Sequence, residues 1–168
     1  MKKEDREFFK KCIDEIFDCE KISLMDNYQQ HCSVSCLEHS VLVAYISFWF
    51  CKKFKIKVDF RSLIRGAMLH DFTLYNWRER PENAFAHLRM HPTNAYNNSI
   101  KYFEINEKEK DIILSHMWPL TFKMPKYKES FIVNFADNIC AVFEVCGMYA
   151  KIFERRLKKI SVFPYSAC

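Results

Sequence analysis

Imidazole and carboxylate groups recur in this sequence among apolar neighbours, and such positions are where metal or proton chemistry can begin. His39 shares a helical face with Cys36, Leu42, Val43 and Ile46. His70 follows Leu63, Gly66 and Ala67 by one or two turns, and such small residues let another backbone or a ligand come close. Asp137 sits in Phe135-Ala136-Asp137-Asn138-Ile139, with Asn134, Cys140, Ala141 and Glu144 on its side of the helix. A carboxylate buried there alone costs several kcal/mol, so it needs a hydrogen-bonded cation or a metal. His39, His70, Asp71 and Asp137 come from three expected helices that can converge. Their mixed imidazole and carboxylate donors suit Mn, Fe, Ni, Co or Zn.

The competing explanation is that each histidine is a satisfied core residue, as a lone buried His usually is. By itself His91 reads as a helix-start residue before Pro92, and His116 as a helix-end cation favoured by the dipole. His31 reads as structural or solvent-facing. The ordered set carries more weight: Glu38-His39-Ser40, Met68-Leu69-His70-Asp71, His91-Pro92, His116 and Ala136-Asp137-Asn138.

Helices must position these groups. Phe8, Phe9, Cys12, Ile13, Ile16 and Phe17 form an apolar stripe at helical spacing. After a link through Asp26-Asn27-Tyr28, a second helix is expected from about Ser33 to Lys52. Asp59 can cap a third over Phe60 to His70. Residues 72 to 90 show no clean period and read as an irregular loop with one short helical turn at most. Pro92 suits the first turn of a helix reaching about Phe103. Asn106 and Glu109 have the spacing of a reciprocal cap for a helix ending near His116. Pro119 to Pro125 is a second loop, and a long final helix is expected from Lys128 toward Ile160.

In this order the motifs resemble the HD-domain phosphohydrolase superfamily, in particular its HDIG-like branch with the pattern His-Ser, Leu-His-Asp, His-Pro, His, Asp. The likeness spans roughly His31 to Glu144. It implies an all-α, single-domain helical bundle over residues 1–168, with a core metal held by His39, His70, Asp71 and Asp137. It further implies a second ion on His91 and His116, with Asp71 bridging, and it makes Asp71 and His70 the catalytic pair. The implied cofactor is a divalent transition metal, as two ions, with Fe or Mn favoured and Ni, Co, Zn or Mg compatible. The implied reaction is hydrolysis of a phosphoester or phosphoanhydride in a small metabolite, a nucleotide first among them. Two ions would activate water and neutralise charge developing at phosphorus. The alternatives are a non-catalytic metal- or nucleotide-binding regulatory domain, and an HD-type di-iron oxygenase.

The chain departs from family patterns just after His-Asp, where one-metal nucleotidases of the superfamily often carry a proton-transferring Glu but none occurs between Phe72 and Arg78. HDIG-type enzymes commonly carry Ile-Gly-Lys after His-Asp, but here His70-Asp71 is followed by Phe72-Thr73-Leu74. That missing Lys leaves phosphate to be held from elsewhere. Arg78, Arg80, Arg89 and His87, between Asp71 and His91, are the candidate substrate-binding groups; Lys123 and Lys126 follow in the second loop. Plain surface solvation competes for each of them.

Bulk properties agree with this picture. A length of 168 residues fits one domain, and 49% hydrophobic with 28% charged residues suits a globular core. Two glycines are too few for a Gly-rich phosphate loop. The 8 cysteines include no Cys-x-x-Cys pair and read as reduced thiols of a cytoplasmic protein. No leader is expected, because Met1-Lys2-Lys3-Glu4-Asp5 runs straight into an amphipathic pattern. The apolar stretch Val41 to Cys51 is too short to span a bilayer. A net charge of +5 without a basic, aromatic-laced run gives no evidence for DNA or RNA binding. A homodimer is compatible with the sequence.

Overall fold

The computed structural model describes residues 1–31, 34–74 and 84–147, the side chains of 30, 31 and 84–88 excepted. Helix α1, Lys3–Phe17, buries Phe9, Cys12, Ile13 and Ile16, the inner part of the expected stripe. A 3-10 helix, Glu20–Asn27, follows. It leads into a short antiparallel pair, β1 (Gln29–His31) and β2 (Val34–Ser35), with Gln29 opposite Ser35.

Helix α2, Cys36–Phe54, starts one turn later than its sequence suggests, and the reason is a cap. Ser35 Oγ accepts from Glu38 N at 3.2 Å and Glu38 Oε2 accepts from Ser35 N at 3.1 Å. This reciprocal cap satisfies two orphan donors, worth roughly 1 kcal/mol. Twelve of its residues are buried, spread around the whole helix, so α2 is the central post of the bundle. It ends on Lys55 in the left-handed region, φ 55°.

Helix α3, Phe60–Leu69, is capped by Asp59 as expected, with Ser62 N donating to its side chain at 3.1 Å. Gly66 lets α3 approach α5, Glu107–Ser115, very closely. A Cβ at Gly66 would lie 2.5 Å from Ile112 Cδ1 and 3.0 Å from its Cβ. Arg65 ties the same two helices together, donating to Glu109 at 2.7 Å and to the Glu104 carbonyl at 3.1 Å. Glu109 also completes the expected cap of α5, accepting from Asn106 N at 3.1 Å.

Two expected boundaries differ. Helix α4 is Ala84–Tyr102, so it begins eight residues before Pro92 and converts residues 84–90 from expected loop to helix. Pro92 has no N–H and leaves the carbonyl four residues earlier without its helical partner, which is why proline alone suggests a start. Helix α6, Lys128–Val145, ends at Cys146, and Gly147 turns left-handed with φ 68°. The described part of the chain thus has no unbroken helix from Lys128 to Ile160; residues 148 onward lie outside the described range.

The core is one cluster fed by α1, α2, α3, α5 and α6, with Phe9, Phe48, Phe72, Leu42, Leu63 and Met68 fully buried. Burying each such side chain contributes roughly 1.5–3 kcal/mol. The protein is a single all-α domain apart from the two short strands. Cys12, Cys19, Cys36, Cys51, Cys140 and Cys146 are free thiols. Among the described residues no helix is long and apolar enough to cross a membrane.

Candidate metal centre

The ends of α3 and α5 each deliver a histidine inward. His70 is the residue that closes α3, and its Nδ1–H donates to the Ala67 carbonyl at 2.7 Å. His116 closes α5 in the same way, donating to the Ile113 carbonyl at 2.8 Å. In both, the Nδ1–H bond leaves Nε2 directed at the interior; burial would depress His70, but Asp71 and Asp137 outweigh it and hold that imidazole well above its usual value, so a metal would have to displace its Nε2 proton. His70 Nε2 and His116 Nε2 are buried and have no hydrogen-bond partner.

Asp71 lies between them. Its Oδ2 is 3.3 Å from His70 Nε2 and 3.7 Å from His39 Nε2. Its Oδ1 is 2.6 Å from His91 Nε2 and 3.5 Å from His116 Nε2. One carboxylate thus presents one oxygen to each of two histidine pairs. Asp137, from α6, completes the first side, 2.9 Å from His39 Nε2 and 3.7 Å from His70 Nε2. The donor atoms form two compact groups: His39, His70 and Asp137, and Asp71, His91 and His116. All but the half-buried Asp137 are buried.

Electrostatics set the charge state of each group in this cluster. Burial, reinforced by His70, pushes the His116 imidazole down to about 4, so it is neutral at pH 7. His116 Nε2 lies 3.5 Å from Asp71 Oδ1 in a buried site, two donor atoms that a shared cation can engage. Burial would also depress His39, but its hydrogen bonds to Asp137 and Glu144 outweigh it and hold the imidazole up at about 9. Burial works against the charge of Asp71 as well. His70 and His91 overcome it and keep the carboxyl well below the usual range. The carboxylates stay ionised, as metal ligands must.

All six sequence-derived ligand candidates therefore meet in one interior cluster. Arg89 is exposed on α4; Arg78 and Arg80 lie outside the described residues, as do the side chains of His87 and His31. Four supporting groups carry no role from sequence alone, although Asn134 and Glu144 stand on the Asp137 face. Glu144 accepts from His39 Nδ1 at 2.8 Å, fixing which nitrogen faces the cluster. Its signal was available, since it stands two helical turns after Asp137 on the same face. Asn134 donates to the carbonyls of His116 and Trp118, anchoring the end of α5 to α6. Asn98 donates to the carbonyls of Phe72 and Thr73 at 3.1 and 2.8 Å. Asp111 accepts from Lys126 N and from Ser130 Oγ, fixing the start of α6.

The departure after His-Asp also has a structural explanation. Phe72 is fully buried and packs edge-on against Tyr102 and Phe103, with ring centroids 6.0 Å away in both cases. The segment that follows His70-Asp71 thus serves the core. Comparison with protein-family models, with curated proteins and with solved structures gives no match.

Proposed function

We propose that this chain is a metal-dependent phosphohydrolase of the HD-domain type. The observation that carries the reading is Asp71, whose two oxygens divide between the His39–His70 pair and the His91–His116 pair. In it, His39, His70 and Asp137 hold one divalent ion, His91 and His116 hold a second, and Asp71 serves both. Such ions supply Lewis acidity and lower the pKa of water, chemistry suited to displacement at phosphorus. Imidazole and carboxylate donors without thiolate favour Mn or Fe over softer ions. The thiols of Cys36 and Cys140, near this cluster, are held protonated by burial first and by the nearby carboxylates second.

The chain's own groups have defined tasks in this reading. Ala67, Ile113 and Glu144 lock three imidazoles with Nε2 inward, so the ligands need no reorganisation to engage. Burial of the cluster excludes bulk water and strengthens each charge interaction inside it. With Phe72 in the core, phosphate must be held by cations beyond the His-Asp turn.

The test is a hydrolysis screen of a nucleotide library and bis-p-nitrophenyl phosphate with Mn, Fe, Co, Ni, Zn and Mg, run in air and anaerobically. Phosphate release that needs a metal, is independent of oxygen and is abolished by Asp71→Asn supports the reading. Metal-loaded protein inert toward every phosphate would overturn it in favour of a regulatory domain. Turnover that requires oxygen would point to a di-iron oxygenase.

A further inference from the structure

The loop between α5 and α6 turns three large apolar side chains outward in close succession: Leu120 is 65% exposed, Phe122 97% and Met124 58%. Folded chains hide most large apolar groups, and grouped exposure marks an interaction site. The backbone that carries them is held at both ends. Thr121 N donates to the Met117 carbonyl at 3.0 Å, and Asn134 reaches the Trp118 carbonyl at 2.7 Å. At the far end Lys126 N donates to Asp111 at 2.8 Å, and Ser130 Oγ donates to the same carboxylate at 2.7 Å. Pro125, between them, is buried. The fold itself therefore presents the apolar tip, and little ordering remains to be done when it meets a partner. Cations surround the tip: Lys123 and Lys126 are exposed in the loop, and exposed Lys128 opens α6. Burial depresses the Lys123 ammonium; Asp111 opposes this, while Lys110 and Lys126 lie near enough to add to it. Asp111 is buried and Glu107, 3.5 Å from Lys110, offsets one of these charges, so the outer edge of the loop stays positive.

We propose that this loop docks the protein on an anionic lipid surface, with Leu120, Phe122 and Met124 entering the interface and Lys123, Lys126 and Lys128 against the headgroup phosphates. Apolar burial combined with attraction to anionic headgroups is how a chain lies on a bilayer without spanning it. Lysine stems run along apolar groups while their ammonium ends stay in the polar layer. Each lysine near such a surface raises partitioning about fivefold, and burial of a phenylalanine ring raises it about tenfold or more. A second copy of this chain fits less well, because an isologous contact would set Lys123 and Lys126 against their own counterparts. A nucleic acid would use the lysines and the Phe122 ring but leave Leu120 and Met124 in water. The docking is independent of the metal reading.

The experiment is flotation of the purified full chain with vesicles of phosphatidylcholine, alone or with about 30% phosphatidylserine. Binding should require phosphatidylserine and fall as salt rises. Phe122→Ser should weaken it about tenfold or more, and Lys123→Gln and Lys126→Gln about fivefold each. Phe122→Trp should bind like the parent, and its emission relative to the parent should shift to the blue on vesicles as the ring leaves water. Phe122 is almost wholly exposed, so its replacement leaves the core intact, which an unchanged Tm checks. Adsorption that needs the lysines but ignores Phe122→Ser would overturn insertion of the loop. Absence of binding to both vesicles overturns the proposal outright. A parent dimer that Phe122→Ser splits would then identify a second copy as the occupant, and retention on single-stranded RNA would identify a nucleic acid.

Discussion

Replacing Gly66 by alanine sets two opposed effects against each other. In an ordinary helix interior the change stabilises by roughly 0.5–1 kcal/mol, because alanine loses less backbone entropy. Here the new Cβ would lie 2.5 Å from Ile112 Cδ1, 3.0 Å from its Cβ and 3.1 Å from its Cγ2. Carbon atoms rest at about 3.5–4.0 Å, so the overlap is roughly 1 Å at Cδ1 and half that at Cβ. A rotamer change can carry Cδ1 away, but Ile112 Cβ moves only with α5. Overpacking of this kind costs about 1–3 kcal/mol and outweighs the propensity gain. We expect a net loss of about 1–2 kcal/mol and a fall in Tm of about 2–8 °C. Because α5 delivers His116, whose Nε2 is 3.5 Å from Asp71 Oδ1, occupancy of the second ion should fall with it. Thermal melts and metal analysis of the same samples read both effects. Ile112→Ala, destabilising by itself by about 2–5 kcal/mol, should cost less in the Gly66→Ala background, with a coupling of about 0.5–3 kcal/mol. A Gly66→Ala protein as stable as the parent, or strict additivity in the double variant, would refute the close-packing argument.

Asp71→Asn should strip both ions, since its two oxygens face different histidine pairs; mass spectrometry of native protein, expected to fall from two ions toward none, checks this. His116→Ala should take the count from two to about one, and an unchanged count would remove His116 from the ligand set. Glu144→Gln should weaken metal binding by about 10–100-fold by removing the charge behind His39 Nδ1, read as a Kd for Mn. Without metal the His39 imidazole is held at about 9 and is protonated at pH 7, so Mn must displace that proton. Mn affinity should therefore rise as pH increases from 7 toward 9, with proton release seen by calorimetry in buffers of different ionisation enthalpy.

The histidine–carboxylate cluster was legible because chemistry and pattern conflict at it: His39, His70 and Asp137 are polar groups at apolar helix positions. Their ranges held where caps are local, as at Asp59 for α3 and the Asn106–Glu109 pair for α5. Pro92 misled because proline marks a helix start far more often than an interior, and only packing can favour the exception. The supporting groups were harder to see. Asn98 and Asn134 occupy ordinary helical positions, and their targets are backbone carbonyls distant in sequence, which no side-chain pattern reveals. Glu144 was visible on the Asp137 face, but its partner, His39 Nδ1 at 2.8 Å, lies on a distant helix that spacing does not reveal.

His70 and His116 each close a helix by donating Nδ1–H to a carbonyl of its last turn, while the opposite nitrogen faces the interior. The two halves of each ring therefore answer to different selective demands. An asparagine carries its amide nitrogen where the imidazole carries Nδ1, but has nothing at the position of Nε2. Exchange of either histidine for asparagine would keep the helix terminus and delete the ligand, whereas alanine would remove both. A lineage that abandoned the metal could thus drift to asparagine at 70 and 116 without losing its architecture. On the proposed metal reading, an asparagine at those positions in a related chain would mark a lost ligand rather than a broken fold.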